Sequence, residues 1–262
     1  MLRSLYNYRY FILSSIRGEL RARFARSKLG ALWFILHPLA QALIFSIVLA
    51  EVLGTRLPGV ESRTAYAVYL LAGMASWGLF AEILNRSTNI FVEQAPSLKK
   101  IAFPRLSLPI VVWGSALLNH VLLLGAIMLI FILVLDIYPG WAWLALPIGM
   151  VLISMLGFGL GVLLGVLNVF SRDVSQVMIV VVQLWFWVTP IVYPRSIVPE
   201  QFQSVIDLNP MTALVGIYQN ALLFDQWPSV DKLIIPALVG MVAVVISFIV
   251  FRRASSDLVD AL

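Results

Sequence analysis

Gln94–Pro109 reads QAPSLKKIAFPRLSLP, the only substantial polar break between long apolar runs on the basic side of the chain. It is too short to be a domain. Lys99, Lys100 and Arg105 interleave with Ile101 and Phe103, and Pro96, Pro104 and Pro109 bracket them. This pattern predicts one or two stiff amphipathic helical turns lying across a membrane face, a shape suited to docking onto another protein. The same charge also satisfies the lysine and arginine bias of cytoplasmic loops, so both roles are open on composition.

Working outward, 61% of the 262 residues are hydrophobic and 12% are charged, against about 25% charged in soluble domains. An integral membrane protein follows, and the fold class expected is all-α. The net charge of +5 does not point to nucleic acid, because the basic residues gather at the ends of apolar runs where they face anionic headgroups. With no cysteine and two distant histidines, no disulfide and no metal cluster is expected. The arginine-interrupted start is not a cleavable signal peptide.

Upstream, residues 1–30 hold seven of the eighteen basic residues. Leu13, Ile16, Leu20 and Phe24 fall within roughly 80° of one another on a helix, which predicts an interfacial helix. Arg21, Arg23, Arg26 and Lys28 would flank its apolar stripe, either as topology anchors or as a specific ligand site. A first span is expected over 32–53, kinked by Pro38, and a second over 65–91, in which Glu82 and Arg86 stand one turn apart and can pair.

Downstream, the third span, 109–135, carries Asn119 and His120 near the midplane. There an ionisable group is either a functional residue or a neutral histidine bonded between helices, and the second reading is preferred. A tight outer turn over 136–140 leads to the fourth span, 141–170, where Gly157, Gly161 and Gly165 form a smooth face for close helix approach, within the subunit or across a dimer. A fifth span from Val174 to Pro190 is at the lower limit for crossing. Two short amphipathic pieces follow, 199–208 and 210–224, the second capped by Asn209 with Pro210 at its first position. They suit re-entrant or interfacial helices at the outer face and a movable outer gate formed with Pro190, Tyr193, Asn209, Pro210 and Tyr218. The last span is 233–251. Only Arg56, Arg63, Arg195 and Lys232 fall in outer segments, so six spans with both termini cytoplasmic are expected: a single transmembrane domain over 1–262, with residues 1–30 interfacial, 31–253 spanning and 254–262 a tail.

Motifs for hydrolysis are missing: no GxxxxGK[ST], HExxH or GxSxG occurs. Aromatic side chains are the conspicuous resource instead. Trp33, Phe34, Trp185, Phe186 and Trp187 offer flat apolar faces with polar edges, suited to sugar CH faces as well as to a headgroup belt. Three consecutive aromatics cannot all face lipid, so at least one of Trp185–Trp187 should point into the protein or a cavity.

Taken in order, LRARFARSKLGALWFILHPL, YLLAGMASWGLF, LKKIAFPRLSLP, NVFSRDVSQ, TPIVYP and LNPM resemble the membrane subunits of ABC exporters of lipid-linked polysaccharides such as O-antigen, capsule and teichoic acid. The resemblance covers nearly the whole chain. It implies a homodimer of six-helix subunits in the bacterial inner membrane, no cofactor in this chain, and two separate ATPase subunits that bind ATP and Mg. It further implies that a coupling helix spanning residues 95–105, with Pro96, Leu98, Lys99, Lys100, Phe103, Pro104 and Arg105, sits in a cleft of the ATPase. Two other classes share part of the pattern. A membrane-embedded transferase on lipid-linked sugars would need a positioned acid or base, for which only Glu82 and His120 are available, and an exporter of a small amphiphile or drug would share the architecture.

Overall fold

The computed structural model describes residues 6–25, 63–100, 104–258 and 261, with positions 33, 36, 37, 39–41 and 44. Among the described residues every regular element is helical. In order these are α1 (Arg9–Ala25), α2 (Arg63–Glu93), α3 (Ala95–Lys100), α4 (Ser107–Val134), α5 (Leu146–Phe170), α6 (Asp173–Val188), α7 (Glu200–Leu208), α8 (Pro210–Phe224) and α9 (Val230–Ala254). Short 3-10 turns occupy Trp141–Ala145 and Arg195–Ile197. The expected first span and its Pro38 kink fall almost wholly outside the described residues.

Among the described residues, four helical stretches are long and apolar enough to cross a bilayer: α2, α4, α9, and α5 with the turn before it. At 16 residues, α6 rises only about 24 Å and is the short fifth apolar helix that Pro190 dictates. α2 is the most enclosed of the long helices and α9 the least. That order follows from packing, since α5 lies between α2 and α9 while α4 and α8 close other sides of α2.

Glycines make the tight central packing possible. The stripe on α5 faces α2: a Cβ on Gly161 would lie 2.6 Å from the Ser87 Cβ, and one on Gly157 would lie 3.3 Å from the Ile83 Cβ. On the opposite side, a Cβ on Gly159 would stand 2.6 Å from the backbone nitrogen of Val244 in α9. The smooth face that the sequence assigned either to the same chain or to a second copy is therefore used within the subunit.

Two apolar clusters fill the bundle. The larger joins α2, α4, α5 and α8 around Phe80, Leu70, Ile153 and Tyr218, and the smaller joins Phe91, Val166, Leu98 and Phe251, with the Phe91 and Phe251 rings stacked at 5.8 Å. At the outer end, Asp136 (φ 53°) and Asp225 (φ 48°) adopt the left-handed conformation that stops α4 and α8. The Asp225 carboxylate accepts from the Ala142 amide at 2.9 Å, and any Cβ on Gly140 would overlap that carboxylate. At the inner end, α1 rests on α4. Its Ile16 and Leu20 are half-buried, and a Cβ on Gly114 would lie 2.5 Å from the Ile16 Cδ1.

Candidate functional site

The fifth apolar helix ends in an unwound strap, Thr189–Pro194, held from three sides. Tyr66 donates to the Val192 carbonyl at 2.6 Å, Tyr69 contacts the carbonyls of Pro190 and Tyr193 at 3.0 and 3.1 Å, and Gln219 donates to Pro190 at 3.1 Å. Proline cannot donate, so these neighbours satisfy carbonyls that a continuing helix would have paired. Asn209 joins the strap to α8. Its Oδ1 accepts from the Met211 amide at 3.0 Å and from the Trp185 indole at 2.8 Å, while its Nδ2 donates to Thr189 at 2.9 Å.

The N-cap predicted at Asn209 is present and does more than cap. Asn209→Ala is expected to lower stability by about 2–3 kcal/mol, combining a lost cap of roughly 1 kcal/mol with stranded buried partners. Thermal unfolding of purified protein in detergent measures this. Asn209→Asp, which keeps both acceptor roles, should recover most of the loss, and an alanine variant that melts like the parent would remove Asn209 from this role.

Of the aromatic triplet, Trp185 and Phe186 turn inward and Trp187 is exposed, which meets the requirement that at least one point into the protein. Their partners are on α2. Trp185 packs edge-on against Phe80 with centroids 5.0 Å apart, and Phe186 against Trp77 at 5.7 Å. Trp33 is 57% exposed, and Phe34 lies outside the described residues.

The two short helices read as parts of a movable gate are held differently. Only Ile206 of α7 is buried; Thr212 of α8 donates to the Ile206 carbonyl at 2.7 Å, and an exposed two-pronged pair of Asp207 with Arg195, from the turn before α7, at 2.5–2.6 Å holds the Asp207 carboxyl below its ordinary range. In contrast, α8 is core. Met211, Leu214, Val215, Tyr218 and Ala221 are fully buried, so modest apolar contacts do not describe its attachment.

Near the middle and inner parts of α2, the structure assembles a polar chain from three helices. Arg86 donates to Glu19 of α1 at 2.6 Å and to Glu82 at 3.3 Å, and Asn119 of α4 donates to the same Glu82 oxygen at 3.0 Å. Next to Asn119, the His120 Nε2 is 2.8 Å from the Tyr218 hydroxyl. The intrahelical Glu82–Arg86 pair is thus real, though Glu19 is the closer partner. His120 is the histidine bonded between helices that was the preferred reading. A cavity of about 240 Å³ opens beside this chain, lined by His37, Gln41, Met74, Gly78, Leu79, Glu82, Asn119, His120 and Leu123.

Between α2 and α4, the loop forms the predicted helical turn as α3. Leu98 is buried in the inner cluster, whereas Pro96 and Lys99 are exposed. Leu98 therefore anchors the turn from beneath while its charged face is presented outward. The Lys100 side chain and residues 101–103, Phe103 included, lie outside the described residues, and Pro104 and Arg105 are half-buried. In the N-terminal basic group, Arg21 is exposed; Arg26, Lys28 and the side chain of Arg23 lie outside the described residues.

Sequence reasoning missed Glu19, Tyr66, Tyr69, Trp77 and Gln219. Each works through a partner at least 29 residues away in another element of the fold. Only the polar or aromatic character of Tyr66, Tyr69 and Trp77 within an apolar run could have flagged them.

Comparison with known proteins matches residues 10–223 to the family model described as ABC-2 type transporter. The chain is similar to the O-antigen export system permease protein RfbA of Myxococcus xanthus, 25% identical over 264 residues that cover 100% of this chain and 99% of that protein. It is 26% identical to a protein of the same name from Klebsiella pneumoniae, with 90% and 88% covered. It is also 24% identical to the polysialic acid transport protein KpsM of Escherichia coli, with 78% of each chain covered. With most of its length, including the polar chain, the strap and the buried α8, inside the matched region, the protein belongs to the ABC-2 type transporter membrane family.

Proposed function

We propose that this chain is the permease subunit of an ABC transporter that exports a lipid-linked, O-antigen-like polysaccharide across the bacterial inner membrane. The observation that carries the reading is the nearly full-length likeness to O-antigen export permeases. The chain acts as a homodimer with both termini cytoplasmic and crosses the membrane six times per subunit. Two partner ATPases hydrolyse ATP with Mg. The α3 turn and the residues after it, through Arg105, form the contact that receives their motion, a role supported by a buried Leu98 beneath an exposed Lys99. Arg21, Arg23, Arg26 and Lys28 attract the diphosphate of the lipid-linked substrate through charge-assisted hydrogen bonds.

The glycan passes the aromatic residues near the end of α6. At the outer face, α7 is the movable part of the gate and α8 with the strap its fixed frame, since short, weakly packed segments open at the lowest cost. Deletion of the gene is expected to strip the glycan from the surface and leave lipid-linked polymer inside. Complementation with Phe103→Ala/Arg105→Ala should restore the permease to the membrane with ATP hydrolysis intact but export reduced at least about tenfold, the effect of losing contacts worth about 1.4 kcal/mol. Normal surface glycan in the deletion strain would refute the export reading, and normal export by the double variant would refute the coupling assignment.

A further inference from the structure

The cavity beside the polar chain has a chemistry that selects its occupant. It lies at mid-height of α2, where Gly78 stands halfway along Arg63–Glu93, and its other walls come from α4 and from His37 and Gln41. A Cβ on Gly78 would meet nothing within 4 Å, so glycine here leaves open space and is not needed for close packing. At about 240 Å³, the cavity has room for roughly eight waters at their liquid volume of about 30 Å³.

Its walls offer both hydrogen-bond donors and acceptors: the Glu82 carboxylate, the Asn119 and Gln41 amides and the imidazoles of His37 and His120. Met74, Leu79 and Leu123 supply apolar surface between them. A cation would meet Arg86, which is already bonded to Glu82; an anion would meet the Glu82 carboxylate itself. A neutral group with several hydroxyls and apolar CH faces meets neither objection and can use every wall.

We propose that this cavity is a hydrogen-bonding subsite for one uncharged sugar unit of the passing glycan, an inference that rests on the export reading above. The water-filled cavity exchanges its waters for sugar hydroxyls as each unit arrives. Individual hydrogen bonds made in exchange for water contribute only about 1 kcal/mol, so no unit is held tightly. The apolar wall residues face the ring's CH groups.

The test uses the full-length permease with its ATPase in exporting cells. Because the chain has no cysteine, Gly78→Cys gives a single attachment point for a photoreactive benzophenone maleimide. Gly125→Cys is the control, an exposed α4 position where a Cβ likewise meets nothing. Illumination during export should attach glycan-antibody-reactive polymer to position 78 and not to position 125. In parallel, Gly78→Leu should cut export about tenfold, the loss expected from one or two net hydrogen bonds, while Gly125→Leu changes it little. Should the Gly78→Leu variant fail to reach the membrane, the photocrosslink decides alone. No glycan at position 78, or equal capture at both positions, overturns the subsite. If that occurs while the deletion strain still loses its surface glycan, the export reading stands; normal glycan in the deletion strain removes the reading itself.

Discussion

Replacing Gly165 with alanine is expected to abolish accumulation of the folded permease in the membrane, whereas the same change at Gly125 should have no effect. A Cβ at Gly165 would overlap the backbone carbonyl of Ser87 and lie 3.3 Å from the Phe91 ring. Backbone within a helix cannot rotate aside, so α5 and α2 would have to separate along the contact that organises the bundle. Overpacking commonly costs about 1–3 kcal/mol, and more where backbone must move. The stripe predicts a graded series. Gly157→Ala, with its nearest obstacles at 3.3 Å, should be mild, and Gly161→Ala, facing the Ser87 Cβ at 2.6 Å, should be severe. Ser87→Gly removes that Cβ and should rescue Gly161→Ala, yet it leaves the Ser87 carbonyl in place and should not rescue Gly165→Ala. Size-exclusion profiles and membrane levels measure the single and double variants; equal rescue of both glycine substitutions, or normal accumulation of Gly165→Ala, would show that α2 and α5 do not meet as described.

That series also shows what could be read from the sequence. Spacing alone identified a smooth face on 141–170, since residues four apart share one side of a helix, but the choice of partner depends on how helices are arranged in space. Local signals transferred well. Asn209 followed by Pro210 fixed the start of α8, Asp136 marked the turn after α4, and Pro96 marked the first turn of α3. Signals that need two distant segments did not transfer. Whether the apolar face of α8 would be buried in protein or in lipid stayed open because an amphipathic 15-residue helix suits an interface as well as a core; what decides is the presence of α2, α5 and α9 around it. Likewise, the sequence pairs Glu82 with Arg86 and expects His120 to bond between helices, but only the fold supplies the partners across helices, Asn119 of α4 for Glu82 and Tyr218 of α8 for His120.

Arg86→Met is the second change with a large expected effect, and it bears on how α1 is tied to the bundle. Arg86 holds Glu19 of α1 and Glu82 of its own helix, with all three side chains roughly three-quarters buried at 26–32% exposure. Taking out the cation leaves two carboxylates with one fewer partner each. For fully buried pairs such a loss costs roughly 3–5 kcal/mol; the remaining exposure reduces this to about 2–3 kcal/mol. Arg86→Lys keeps the charge but lacks the planar fork that serves two acceptors at once, so it should fall between. Because α1 also rests on α4 through Ile16, the loss should loosen α1 without releasing it, and protease access to the 6–25 segment should rise before the bundle melts. A double-mutant cycle isolates the ion pair. Combining Glu19→Gln with Arg86→Met should be less damaging than the sum of the two changes by about 1 kcal/mol or more, whereas unlinked sites add to within about 0.3–0.5 kcal/mol. Additivity at that level, with unchanged protease access, would mean that the 2.6 Å contact between Arg86 and Glu19 does not hold α1 to α2.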